Sequence, residues 1–124
     1  MSMSTSTGPA ATGVSRLIAA LGHSRRGLHE TWRSEAAFRQ EALLALVVAP
    51  AIWLLVPAPL WRALLLVTLG LVFVVELLNT AVEAAIDRIG AERHPLSGKA
   101  KDAGSAAVTV SLLLHGAVWA CVPW

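Results

Sequence analysis

The run from Leu71 to Gly90, "LVFVVELLNTAVEAAIDRIG", decides the fold. It opens as a lipid-compatible helix and then places Glu76, Asn79, Glu83 and Asp87 inside the apolar pattern. At about 100° per residue, Asn79 falls about 60° from Glu76, and Glu83 and Asp87 each fall about 20° from it. Four polar groups therefore share one stripe, while Val74, Leu77 and Ala84 keep the opposite face apolar. An acidic residue near the centre of a membrane helix costs about 2.5–3.5 kcal/mol on insertion scales. Interhelical hydrogen bonding accounts for Asn79 as well as a reactive site does. Two glutamates are a costlier glue than Ser, Thr or Asn, and their graded depth predicts a site open to the water boundary.

The rest of the chain agrees with a membrane setting. It has 124 residues, of which 56% are apolar, and a mean hydropathy of +0.63. A soluble domain of this size has too little interior for that apolar surface. The expectation is an all-α integral membrane protein. Cys121 is the lone cysteine, which excludes an internal disulfide and a thiolate zinc cluster. It reads as a small buried hydrophobe near a helix end. Residues 1–13 are small and polar, without the basic and apolar regions of a secretory signal, and read as a disordered tail. Residues 14–124 read as a single membrane-embedded domain.

Three spans are expected, at about residues 42–61, 63–86 and 103–122, since a bilayer core takes about 20 residues. Pro50 lies inside the first and predicts a kink, and "VPAP" ends it in a turn. Arg16, Arg25, Arg26, Arg33 and Arg39 precede the first span, and Arg88, Arg93, Lys99 and Lys101 surround the second loop. Only Arg62 marks the first loop, so the positive-inside rule places the N-terminus and second loop in the cytoplasm. The five tryptophans read as interfacial belts. Val14, Leu17, Ile18 and Leu21 form a helical apolar stripe, predicting an amphipathic surface helix over residues 14–39. Gly22 and Gly27 predict a break in it, with a second short helix from about Leu28.

Glu35 lies just ahead of the first span, level with Glu83. Two facing carboxylates repel unless a divalent cation lies between them, and Mg2+ is usually held by one or two carboxylates plus phosphate oxygens. A surface pair between Glu35 and Arg39 is the simpler alternative. The second loop, "DRIGAERHPLSGKAKDAGSAA", concentrates Arg93, His94, Lys99, Lys101 and Asp102, cationic enough to suit phosphate or simply to be solvated. It is not a Walker motif, because Gly90 is too far from Gly98 and Lys99 is followed by Ala100. Small residues from Gly104 to Ala107 predict close helix packing. His115 reads as a polar contact within the bundle.

Three motifs, "SEAAFRQE", "VELLNTAVEAAIDRIG" and "HPLSGKAKDAGSAAV", resemble those of the prokaryotic diacylglycerol kinases, with the same spacing from about Arg16 onward. The resemblance implies a homotrimer of three-span chains, with composite active sites at the cytoplasmic face of the bacterial inner membrane. It implies transfer of the γ-phosphate of ATP to the primary hydroxyl of diacylglycerol, with Mg2+. By motif match, Glu76 falls at the catalytic base and Glu35 and Glu83 at metal ligands that also touch ATP. Arg16, Glu92, His94, Lys101 and Asp102 fall at nucleotide contacts, and Arg39, Gln40, Asn79 and Ser105 at the lipid side. No nucleic-acid partner is expected.

Three alternatives make different expectations. A kinase of another lipid alcohol, such as undecaprenol, keeps the same chemistry. A small proton-coupled transporter makes Glu35 and the Lys101–Asp102 pair dispensable. A structural subunit makes Glu76→Gln harmless.

Overall fold

The computed structural model describes residues 12–124, so the expected tail lies outside the described residues except for Thr12 and Gly13, which begin the first helix. The described residues form four helices and no strand: α1 (Gly13–Ser34), α2 (Ala36–Leu55), α3 (Pro59–Ile89) and α4 (Pro95–Cys121). The last three are each long and apolar enough to cross a membrane.

Local chemistry sets the helix ends. The Thr12 side chain accepts from the Ser15 amide and starts α1. Pro59 and Pro95 open α3 and α4, where a missing N–H has no partner to lose. Arg62 closes the turn after α2: its Nε donates to the Val56 carbonyl, and its guanidinium lies 5.4 Å from the Trp53 ring centroid.

Several expected boundaries move. α1 runs unbroken through Gly22 and Gly27, since a glycine inside a helix costs only about 1 kcal/mol. The real break is Glu35, extended at φ −111° and ψ 106°. The expected surface helix over 14–39 is therefore divided there, and α2 starts at Ala36 rather than residue 42. α2 continues past Pro50 and ends at Leu55, which puts Trp61 on α3. α3 and α4 both begin earlier than the spans expected at 63 and 103.

The helices meet along seams with spacings of three and four residues. On α3, Leu65, Leu69, Val72, Glu76, Asn79, Glu83 and Ile86 are all buried or half-buried. On α4 the seam is Gly104, Val108, Ser111, His115, Val118 and Val122, and on α2 it is Phe38, Glu41, Ala45, Val48 and Ile52. Leu71, Val74, Leu78 and Val82 of α3 face outward. From Glu76 to Glu83 the polar stripe is thus the packing seam itself, Asp87 being exposed, and the outside of the bundle is greasy. At most 17% of the apolar window of any spanning helix is buried within the chain.

The two ends of the bundle differ. One holds an apolar cluster of Ile52, Val56, Leu65 and Val122, flanked by Trp61 and Trp119. These two tryptophans therefore pack against the core, which belt placement alone had not anticipated. Cys121 is exposed in the chain rather than buried. The other end carries the acids, with α1 lying against α3: Ser24, Leu28 and Thr31 share a groove with Leu77, Thr80 and Ala84. The α1 stripe of Val14, Leu17, Ile18 and Leu21 is uncovered by the chain itself.

His115 ties α4 to α3 within the span. Trp119 Nε1 donates to His115 Nε2 at 3.0 Å, and His115 Nδ1 lies 2.8 Å from Thr68 Oγ1. Because Nε2 accepts, Nδ1 carries the proton and donates to Thr68, whose hydroxyl donates to the Leu64 carbonyl at 2.9 Å. Interhelical polar contacts in membranes average about 0.6 kcal/mol and reach about 1.7 kcal/mol. Thr68→Val is expected to lower stability near the lower figure. His115→Ala is expected to cost about 1–2 kcal/mol, since it also strands the Trp119 N–H. Unfolding titrations in detergent micelles read both, and unchanged midpoints would show that the clasp holds nothing.

Candidate active site

Phe38 of α2 packs edge-on against Phe73 of α3, with ring centroids 5.7 Å apart. This contact brings the acid-bearing parts of the two helices together. Glu76 is only 6% exposed, and the carboxyl of Glu41 on α2 faces it. Glu41 Oε2 is buried with no hydrogen-bond partner. Sequence reasoning missed Glu41, taking it as flank because the span was expected to start at Ala42. The signal was available: Glu41 occupies an inward position of the stripe Phe38, Ala45, Val48, Ile52 that is otherwise apolar.

Farther toward the C-terminal end of α3, Asn79 Nδ2 donates to Glu83 Oε1 at 3.4 Å, leaving Asn79 Oδ1 buried and without a partner. Two buried polar atoms without partners, Glu41 Oε2 opposite Glu76 and Asn79 Oδ1 one turn along α3, therefore flank the polar stripe of α3. A native structure leaves such atoms bare mainly where a ligand, ion or water completes them. Farther along, Lys101 Nζ of α4 bonds Asp87 Oδ1 of α3 at 2.8 Å, and Glu83 lies within electrostatic reach of the same ammonium. Burial falls steadily from Glu76 through Glu83 to Asp87.

Beyond Lys101 the chain opens into a cleft of about 720 Å3 between the end of α3 and the start of α4. Asp87, Glu92, Arg93, His94 and Lys101 line it. His94 caps α4, with Nδ1 accepting from the Leu96 amide at 3.1 Å. That contact leaves Nε2 as the ring's free donor.

The other expected site residues lie apart from this group or are otherwise engaged. Arg39 donates to the carbonyls of Trp32 at 2.7 Å and Arg33 at 3.1 Å, closing the end of α1. It forms no pair with Glu35; among the described residues the Lys101–Asp87 contact is the one ion pair. Glu35 sits half-buried at the α1–α2 break. Arg16, Gln40, Asp102 and Ser105 are exposed on their helices. Among the described residues, no three His, Cys, Asp or Glu side chains gather closely enough to hold a metal ion.

The family model described as "Prokaryotic diacylglycerol kinase" matches residues 22–123. The chain belongs to the prokaryotic diacylglycerol kinase family. Curated relatives agree. It is 48% identical over 114 residues to a diacylglycerol kinase of Escherichia coli (strain K12), covering 91% of this chain and 93% of that one. It is 46% identical over 111 residues to the Pseudomonas aeruginosa diacylglycerol kinase, covering 90% of each. A Helicobacter pylori diacylglycerol kinase matches at 41% over 111 residues, 90% of this chain and 87% of that one. As a member of this family, with three helices apolar enough to span, the protein is a membrane protein.

Proposed function

We propose that this protein transfers the γ-phosphate of ATP to the primary hydroxyl of diacylglycerol, giving phosphatidic acid and ADP. The observation that carries the reading is Glu76: a carboxylate buried in the helix seam of a family member. The hydroxyl oxygen attacks the γ-phosphorus, the new O–P bond forms, the bridging bond to the β-phosphate breaks, and Glu76 accepts the hydroxyl proton. Asn79 lies one turn along, holds Glu83 through its Nδ2 and borders the lipid hydroxyl. The lipid enters from the bilayer and leaves its chains there.

The nucleotide lies along the cleft beyond α3, where His94 Nε2 and the Lys101 ammonium meet its phosphates and Glu92 its ribose side. Arg16 and Asp102 join it from α1 and α4, and Arg39, Gln40 and Ser105 border the lipid. The hard carboxylate oxygens of Glu83 and Glu35 suit Mg2+. The free valence at Glu83 and the half-buried position of Glu35 fit that role. Mg2+, when bound there, neutralises phosphate charge. Among the described residues, one chain gathers too few ligands for a closed metal site, which supports completion by a neighbouring copy in a homotrimer. The uncovered spans and the bare α1 stripe support the same assembly, with α1 on the cytoplasmic surface of the inner membrane.

The test incubates purified protein with Mg2+, γ-labelled ATP and vesicles containing both diacylglycerol and undecaprenol. Label in phosphatidic acid is expected. Label confined to the polyprenol reassigns the acceptor, and no label in either lipid removes the kinase reading.

Glu41 sets the position of Glu76 in this scheme. Displacing a reacting group by about 1 Å costs on the order of 100-fold. Glu41→Ala is therefore expected to lower kcat by about that factor while KM for ATP stays within about twofold. A normal kcat would show that Glu76 holds its place unaided.

A further inference from the structure

We propose that Gly104 of α4 is a positioning residue for phosphoryl transfer, the surface against which the Asn79 carboxamide is seated. A Cβ at position 104 would overlap Asn79 Oδ1 and come within 3.2 Å of its Cγ. Among the described residues, no other glycine has such an atom closer than 4.0 Å. Gly104 needs no special backbone angle, because it lies inside α4 with ordinary helical geometry. The requirement is for space alone.

The orientation of the amide follows from its other end. Nδ2 donates to Glu83, so Oδ1 is the atom turned onto Gly104. There it is buried without a hydrogen-bond partner. The adjacent cavity of about 170 Å3 is lined by Val75, Leu78, Val82 and Ala107 besides Asn79 and Gly104. An amide pushed into it loses Glu83 and gains no polar partner. A methyl group at position 104 therefore acts through Asn79 on Glu83, although it touches neither substrate nor metal. This rests on the reading that Asn79 and Glu83 work in the transfer site.

The experiment is a double-mutant cycle of Gly104→Ala and Asn79→Ser in full-length protein reconstituted with diacylglycerol, with kcat, half-saturating Mg2+ and the unfolding midpoint all measured. Gly104→Ala alone is expected to lower kcat by about 100-fold and to raise half-saturating Mg2+ by about tenfold. In the Asn79→Ser background, already slow, adding Gly104→Ala is expected to change kcat by less than about twofold, because the shorter side chain clears the methyl. If Gly104→Ala alone fails to fold while the double variant folds, the contact with Asn79 is equally supported. Equal losses in both backgrounds, a fully active Gly104→Ala, or failure of both to fold would overturn the proposal. Full activity of Asn79→Ser would remove the site reading and the positioning role together, an outcome distinguishable from equal losses.

Discussion

Glu76→Gln is expected to lower kcat by on the order of 1000-fold, within the range general-base catalysis supplies. Glutamine keeps the volume and hydrogen-bonding reach of the side chain but accepts no proton at neutral pH. Glu76 is buried beside a second carboxyl, so no bulk water stands ready to replace it. Neutralising it removes one of two facing acids, and the fold is expected to be as stable as before or more so. Turnover and stability should therefore move in opposite directions. ATP binding should be unchanged, because the cleft lining begins at Ile86 and does not include Glu76. Ordinary turnover by this variant, with unaltered unfolding, would return Glu76 to a packing role and revive the structural-subunit alternative.

Glu83→Gln should behave differently. Glu83 holds Asn79 through one oxygen and lies in reach of the Lys101 ammonium, so in the proposed site its charge would serve the nucleotide end of the seam. Losing a group that supports a bound metal commonly costs 10–100-fold in metal affinity. Losing a ligand costs at least that, so half-saturating Mg2+ is expected to rise by on the order of 100-fold. Part of the lost rate should return at high Mg2+, which no concentration should achieve for Glu76→Gln. A variant whose activity is lost but insensitive to Mg2+ would place Glu83 in a structural role beside Asn79.

Much of this was legible before any coordinates. A carboxylate in an apolar run is conspicuous, and the periodicity of a helix is fixed, so Glu76, Asn79 and Glu83 could be assigned to one face from the sequence. The face turned out to be the packing seam, because polar groups in lipid must turn toward other helices. What the sequence concealed was pairing between helices. Glu41 opposite Glu76, Thr68 opposite His115 and Gly104 under Asn79 each depend on how two helices cross; the local pattern marks Glu41 and Gly104 as packed positions but does not name their partners. The break at Glu35 was hidden for another reason: no Gly or Pro marks it, while Gly22 and Gly27, which look like breaks, are carried within α1.

The central claim is a division of labour in which Glu35 and Glu83 hold the cation and nucleotide while Glu76 handles the proton. Binding of Mn2+ with a non-hydrolysable ATP analogue, followed by electron paramagnetic resonance on purified protein, tests it without turnover. The account predicts that Glu35→Gln and Glu83→Gln each weaken binding of the Mn2+–nucleotide pair by at least about tenfold, while Glu76→Gln binds as the unaltered protein does. Unchanged binding by both Glu35→Gln and Glu83→Gln, or loss of binding by Glu76→Gln alone, would contradict it.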